Sequence, residues 1–283
     1  MKRILALVLA AVMVCLAFAS CTAGNTDNPT DTKAGEAKTD AQTDAQTEAK
    51  AESDLDYIKN KGKIIVGITV YEPMNYQDAD GKWTGFDTEF AEAFAKKIGV
   101  DAEFIVIDWD NKFTELKSKS IDCIWNGMTI TDEVKANSEA SDPYVKNAQV
   151  VVMKSDRIAD FGSFDSMKDL SFAAESGSAG AAIIKDANYN ITEVTDMAAA
   201  LLEVKSGSSD ACVIDITMAN AMTGAGTSYE DLGIACELQT EEYGVAFRQG
   251  SDVCAEFNKI MGEMMKDGTL DTLAEKYSLT LVK

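Results

Sequence analysis

Cysteine is the reactive residue type whose spacing in this 283-residue chain says most about possible chemistry. Beyond the first 21 residues the cysteines are widely separated and form no CxxC pair, so the sequence argues against a metal cluster. Cys123 and Cys212 lie in apolar, strand-like runs and are expected to be buried thiols. The sequence leaves open whether the other two, Cys236 and Cys254, form a disulfide.

Histidine is absent from the chain. Without it, Ser-His-Asp catalysis, Cys-His catalysis and any His-ligated zinc or iron site are excluded. The phosphate-binding patterns GxxxxGK[ST] and GxGxxG do not occur either, and no cofactor is expected. These absences favour a protein that binds a small molecule without transforming it, and no residue is assigned a catalytic role.

The first 20 residues have the organisation of an export signal. Lys2 and Arg3 form a positive region, and residues 4–18 are an almost unbroken apolar run that is short for a membrane span. Small residues then precede Cys21, a pattern that resembles the lipobox of bacterial lipoproteins. We therefore expect residues 1–20 to be a lipoprotein signal peptide and Cys21 to carry acyl chains such as palmitate. The alternative is an ordinary signal peptide with Cys21 incidental.

A polar stretch follows Cys21 and extends to about residue 53. Its centre, TDTKAGEAKTDAQTDAQTEAKAES, has no aromatic or branched aliphatic residue, so it is predicted to be a disordered tether over 21–53. The remaining ~230 residues suffice for one large domain or two lobes of about a hundred residues. The formal net charge of −21 makes nucleic acid and anionic lipid headgroups unlikely partners, because both would be repelled.

Strand and helix patterns alternate after the tether. Runs rich in β-branched residues and apolar residues at helical spacing predict strands at 63–68, 102–107 and 121–125, with helices at 86–98 and 113–116. This alternation predicts a parallel sheet covered by helices.

The same order then repeats along the chain, which indicates a second, similar lobe. The strands are expected at 171–174, 190–194 and 211–214, and the helices at 178–185 and 197–204.

Two further strands are expected to connect the lobes. A strand at 149–153 leaves the first lobe and one at 243–247 returns to it, followed by helices at 254–265 and 270–277 that pack on the first lobe. Such a pair of crossing strands makes a hinge, and the cleft at the carboxyl ends of the strands is where α/β sheets bind ligands. The predicted first lobe is 54–147 with 244–283, and the predicted second lobe is 148–243.

Nine short motifs run in order from about residue 55 to residue 277. They are YEPM (71–74), GKWTGFD (81–87), DWD (108–110), IDCI (121–124), GMTIT (127–131), SDPY (141–144), DACVID (210–215), YGVA (243–246) and KDGTL (266–270). On this set the chain resembles the family 3 bacterial extracellular solute-binding proteins, the polar amino-acid receptors of ABC importers. The resemblance implies the periplasmic-binding-protein fold, an α/β structure of two lobes joined by two crossing strands.

The resemblance also implies residues for an amino-acid ligand, which needs an acceptor for its ammonium and donors for its carboxylate. Asp215 matches the carboxylate that meets the α-ammonium, although a solvated Asp after a strand is the alternative. Gly127 and Thr129 match the pair that meets the α-groups in the first lobe. Ser178 and Ala179 match a turn whose backbone N–H groups lie at a helix N-terminus, which suits a carboxylate.

Four more positions correspond to groups near the ligand's side chain. Tyr71 and Trp109 match two aromatics that enclose the side chain, with a place in the core as the alternative for each. Glu175 and Asn126 match positions that approach it, and an acidic group there would suit a cationic or amide-bearing ligand. An exposed Glu at a strand end is the alternative for Glu175.

One position departs from the family pattern. The arginine that usually clamps the α-carboxylate is replaced by Val134 in this chain. Lys135 is adjacent, but one helical position turns a side chain by about 100°. Either Lys135 or the helix-terminal amides take the carboxylate, or the ligand lacks a standard α-carboxylate.

The expected function is the extracytoplasmic substrate-binding component of an ABC importer, lipid-anchored at the outer face of the cytoplasmic membrane. Its expected partners are an amino acid or related small polar solute, the transporter permease and the membrane through its anchor, with the protein itself a monomer. The alternatives are an enzyme of the same fold that dehydrates cyclic carboxylic acids, with Glu175 as its one visible general acid or base, and a ligand sensor.

Overall fold

The computed structural model describes residues 53–283, and the signal, lipobox and tether predictions for 1–52 fall outside these residues. The described strands are β1 (Lys63–Ile68), β2 (Tyr76–Gln77), β3 (Trp83–Thr84), β4 (Asp101–Val106), β5 (Cys123–Thr129), β6 (Glu139–Ala140), β7 (Val145–Lys154), β8 (Ser171–Glu175), β9 (Asn190–Val194), β10 (Ala211–Asp215) and β11 (Leu232–Phe247). The α-helices are α1 (Asp54–Lys61), α2 (Phe86–Ile98), α3 (Lys112–Lys117), α4 (Asp132–Asn137), α5 (Ala179–Asp186), α6 (Met197–Ser206), α7 (Ile216–Met222), α8 (Asp252–Lys266) and α9 (Thr269–Lys276).

The sheet contains two parallel groups of strands that are joined by two antiparallel strands. Its order is β4-β1-β5-β11-β7-β10-β8-β9, and β6 pairs with β11 at the side. β1 is parallel to β4 and β5, and β8 is parallel to β9 and β10. β11 pairs antiparallel with both β5 and β7, and β7 pairs antiparallel with β10. The sheet is therefore mixed, because the two connecting strands run against the parallel groups.

The first group is held by aromatic side chains at helical spacing. Phe86, Phe90 and Phe94 repeat every four residues along α2 and are fully buried. The Phe90 ring meets Trp125 of β5 edge to face at 4.8 Å, and Trp125 meets Phe257 of α8 at 5.0 Å. α8 therefore packs on the first group of strands, as the sequence predicts.

The long connecting strands serve cores on both faces of the sheet. Along β7, Val150 and Val152 face one apolar cluster, whereas Val151 and Met153 face another that contains Phe172 of β8. This alternation is the period of two expected of a strand. Both β7 and β11 are longer than the predicted 149–153 and 243–247, because the polar residues at their ends are held by the pairing between the two strands.

Most other predicted elements agree with the structure. The bounds of β1, β9 and α2 are as predicted, while β5 begins and ends later than predicted. Two short helices, α1 and α7, have no counterpart among the predicted elements.

All four cysteines of residues 53–283 are free thiols. Cys236 lies on β11 and Cys254 on α8, so the disulfide that the sequence left open does not form. Cys123 and Cys212 are buried as predicted, and burial raises the pKa of both thiols. Within these residues, no helix combines the length and apolar character that crossing a membrane requires.

A buried ion-pair cluster ties α1 and the residue after β11 to the start of β5. Asp122 is fully buried and accepts hydrogen bonds from Lys61 Nζ at 2.6 Å and from the Ile65 N–H at 2.7 Å. Arg248 lies 3.3 Å from the other oxygen of Asp122 and 2.8 Å from Asp54. One carboxylate therefore connects α1, β1 and the end of β11.

We predict that Asp122→Ala lowers the free energy of unfolding by about 3–5 kcal/mol, because it leaves the Arg248 guanidinium largely buried with one partner fewer. Glu103→Ala is the matched control, since its 2.6 Å ion pair with Lys63 is more than two-fifths exposed on both sides. That control should change stability by at most about 1 kcal/mol. Urea denaturation of both variants measures the difference, and equal losses would contradict a stabilising role for the cluster.

Candidate functional site

A cavity of about 290 Å³ lies where the two parallel groups of strands meet. Its size is at the small end of the range for small-molecule sites, roughly 300–1,000 Å³. Strands β5, β8 and β10 end at it, and the N-terminus of α5 points to it. Eight of the nine predicted site residues line this cavity: Trp109, Asn126, Gly127, Thr129, Glu175, Ser178, Ala179 and Asp215.

Tyr71, predicted to contact the ligand's side chain, is not among the residues that line this cavity. It is fully buried, and its hydroxyl is hydrogen-bonded to Thr217 and Tyr243. A Cβ added at Gly127 would lie 2.5 Å from Cε1 of Tyr71. Tyr71 therefore packs directly against the backbone of Gly127, which lines the cavity.

Gly127 is required by this close approach and by its backbone, whose φ of 55° disfavours other residues. Its N–H donates to Oδ2 of Asp87 at 2.6 Å, and Tyr144 donates to the other oxygen at 2.8 Å. Burial raises the pKa of Asp87 to about 7, with these hydrogen bonds acting in the opposite direction. Asp87 thus fixes the Gly127 backbone from below the cavity.

Asp215, at the end of β10, accepts hydrogen bonds on both of its carboxylate oxygens. Tyr243 donates to its Oδ2 at 2.6 Å, and Gln149 donates to its Oδ1. The Gln149 amide also reaches Oε1 of Glu241 at 2.8 Å. Burial, followed by the charge of Glu241, raises the pKa of Asp215 above its usual range.

Glu241 gathers three donors on one oxygen. Thr129, Asn147 and Gln149 all donate to its Oε1, at 2.8, 2.6 and 2.8 Å, while its Oε2 is buried without a partner. The Thr129 hydroxyl is therefore engaged with Glu241. None of the ion pairs among residues 53–283 includes Asp215, Glu241 or Glu175.

Glu175, at the end of β8, is buried rather than exposed, which removes the alternative of a solvated Glu at a strand end. Its side chain is 3% exposed, and its Oε1 has no hydrogen-bond partner. Burial raises its pKa to about 8, and the charge of Asp215 adds to this shift. Asn126, by contrast, is held at both ends of its amide by Thr69 and Asn75.

The N-terminus of α5 contributes backbone donors. Ser178 is the N-cap, and its hydroxyl accepts from the Ala181 N–H at 3.1 Å. The N–H groups of Ala179 and Gly180 belong to the first turn, whose amides lack partners within the helix. This end of the helix carries partial positive charge and favours a negatively charged group.

The position of the family arginine is occupied by Val134, which lines the cavity, whereas Lys135 is exposed and does not. The lining also contains polar residues that were not predicted as site residues: Lys112, Thr131, Asp132, Glu133 and Gln149. Lys112 follows Trp109 by three residues, and this helical spacing could have indicated that the two side chains lie on the same face. No sequence signal identified Gln149 or Glu241. Both lie on the long connecting strands, and their positions relative to the cavity depend on how these strands pair with distant segments.

The family model for bacterial extracellular solute-binding proteins, family 3, matches residues 64–280, and the chain belongs to this family. The L-cystine-binding protein TcyJ of Escherichia coli (strain K12) is 32% identical over 232 residues, which cover 79% of this chain and 85% of TcyJ. The arginine-binding extracellular protein ArtP of Bacillus subtilis (strain 168) is 31% identical over 229 residues, with coverage of 77% and 86%.

Solved structures agree with this assignment. A crystal structure of a mutant of ArgBP from T. maritima matches with a TM-score of 0.74 and 31% identity, over 79% of this chain and 98% of that chain. The resemblance stated from the sequence motifs and the two-lobed α/β fold are thereby confirmed.

We predict that Glu175→Gln gains stability relative to wild type as the pH rises from about 4.5 to 8. The folded protein holds a proton on Glu175 up to a pKa of about 8, whereas the unfolded chain releases it near 4.5. Wild type therefore loses stability across this window and the variant does not, a difference on the order of 5 kcal/mol at pH 9. Urea denaturation at pH 5, 7 and 9 measures it. Glu92→Gln, at an exposed position on α2, should follow wild type at every pH, and identical curves for both variants would contradict the prediction.

Proposed function

We propose that this protein captures a free amino acid, or a closely related small polar solute, outside the cytoplasm and delivers it to an ABC importer. The observation that carries the proposal is Asp215, a buried carboxylate in the cavity wall that is hydrogen-bonded but has no cation within the described chain. A ligand ammonium would supply that cation. The N-terminus of α5 lines the same cavity and would receive the ligand's negative end.

The charge of the cavity favours ligands that bring positive charge. Asp132, Glu133, Glu175 and Asp215 line it, against a single lysine, Lys112. A second cationic or amide group on the ligand would meet the unpartnered oxygen of Glu175. TcyJ and ArtP, which bind L-cystine and arginine by name, make these two amino acids the first candidates.

We further propose that the lobes comprise 54–147 with 244–283 and 148–243, and that they close over the ligand. Residues from both parts contribute to the cavity. Lys112 of the first part donates to the Gly177 carbonyl of the second at 3.0 Å, and a Cβ at Gly177 would lie 2.8 Å from Asp110. These close approaches support a cleft in which a ligand would be withdrawn from water.

The test begins with calorimetric titration of the protein with the twenty common L-amino acids and L-cystine. We expect submillimolar binding of at least one, and about 100-fold or weaker binding of its analogue without the α-amino group, because that analogue leaves Asp215 uncompensated.

Asp215→Asn should weaken binding of the amino acid by about 100-fold. It should also narrow the difference in affinity between the amino acid and its deaminated analogue, because an uncharged Asn leaves no buried negative charge for an ammonium to neutralise. Asp132→Asn is the matched control: Asp132 lines the same cavity but is exposed, and its loss should change Kd by less than about threefold. Equal effects of the two substitutions would contradict a specific pairing at Asp215.

The proposed anchor is Cys21, supported by the small residues before it and the apolar run that precedes them. We predict that Cys21→Ala releases the protein from the membrane fraction of expressing cells, because acyl chains provide the attachment at roughly 0.8 kcal/mol per buried CH₂. Fractionation and immunoblotting measure the distribution, with Cys236→Ala as the control that should stay membrane-bound. Retention of the Cys21→Ala protein would place the attachment elsewhere.

A further inference from the structure

Lys112 is an unusual lysine for its surroundings. It begins α3, only 5% of it is exposed, and it lines the cavity. Lysines are almost never so deeply buried unless they are paired. None of the ion pairs within residues 53–283 includes Lys112, so its charge is buried without a carboxylate in contact.

Two of the three N–H groups of the Lys112 ammonium have partners. Its Nζ donates to the Trp109 carbonyl at 3.2 Å and to the Gly177 carbonyl at 3.0 Å. The ammonium also lies 5.1 Å from the centre of the Trp109 ring and 5.0 Å from that of Phe113, within the range of cation–π attraction. One N–H is left for a further acceptor, and the position of the ammonium is fixed in advance.

The buried charge makes an anionic partner favourable. Burial lowers the pKa of Lys112, while the carboxylates of Glu133 and Glu175 act in the opposite direction. A carboxylate brought into contact would offset the cost of removing the ammonium from water. Gly177, which accepts from Lys112, immediately precedes the N-cap of α5, so the lysine and the positive end of that helix lie side by side.

The other candidates for this role are less well placed. Val134, at the family arginine position, is apolar, and Lys135 is exposed and lies outside the cavity lining. Lys112 is the one cationic side chain among the described residues of the lining.

We propose that Lys112 binds the carboxylate of the ligand, together with the N-terminus of α5, and so replaces the arginine that this chain lacks. This inference rests on the proposed function, since it assigns the negative end of the same ligand. It selects carboxylate-bearing solutes and rejects amides, esters and decarboxylated amines of the same shape.

The test compares Lys112→Met with Lys135→Met by calorimetric titration. The probes are the tightest-binding member of the amino-acid panel and its α-carboxamide, which keeps the ammonium and side chain but has no negative charge. Lys112→Met should weaken binding of the acid by about thirtyfold and that of the carboxamide by less than about threefold. Lys135→Met should leave both affinities within about twofold of wild type.

Lys112→Arg keeps the positive charge and should retain most of the preference for the acid over the carboxamide. This variant distinguishes loss of the charge from a general loss of folding at position 112. Equal weakening of acid and carboxamide by Lys112→Met would overturn the proposal and leave Lys112 as a structural link between the Trp109 and Gly177 carbonyls, with the proposed function intact. If wild type binds no amino acid of the panel, the proposed function fails and this inference fails with it.

Discussion

The site depends on one constraint: several carboxyl groups are removed from water without a cation from the described chain to accompany them. Asp215 and Glu175 are almost fully buried, and Glu241 has one oxygen out of reach of solvent and partners. Such burial costs several kcal/mol per charge unless protons or partners compensate, and here burial raises the pKa of all three. The fold must hold these groups in place against that cost, and the rest of the architecture can be understood from this requirement.

The sheet supplies the rigidity. β8 and β10 end side by side, which places Glu175 and Asp215 at one cavity, and β7 and β11 bring Gln149 and Glu241 beneath them through antiparallel pairing. A single amide, that of Gln149, bridges Asp215 and Glu241 and separates two groups that would otherwise repel. Stability comes from elsewhere, from the aromatic core around Phe90 and from buried ion pairs that are fully matched. Unmatched charge is thus concentrated at the cavity, where a ligand can compensate it.

The sequence predicts those features that depend on local pattern. α2 is delimited by its repeat of phenylalanines and by Gly99, and the residues at strand ends that line the cavity follow from motifs that lie directly after apolar runs. It does not predict features set by packing between distant segments. Tyr71 resembles a ligand contact in its motif, but its hydroxyl is drawn to Thr217 and Tyr243, which lie about 146 and 172 residues further along the chain. The burial of Lys112 depends on Gly177, 65 residues away, in the same manner.

The two buried carboxyl groups that line the cavity, Glu175 and Asp215, are not equivalent. Asp215 already accepts hydrogen bonds from Tyr243 and Gln149, and these stabilise its charged form, whereas Oε1 of Glu175 has no donor and its pKa is about 8. Near neutral pH Glu175 is therefore mostly an uncharged acid with an O–H to donate. A single ammonium entering the cavity pairs more favourably with Asp215, because less work is needed to ionise it. Under the proposed function, Glu175 would ionise when the ligand brings a second positive charge and would otherwise donate to a neutral acceptor. If Lys112 binds the ligand's carboxylate as we propose, the α-groups would set the ligand's orientation and Glu175 would face its side chain.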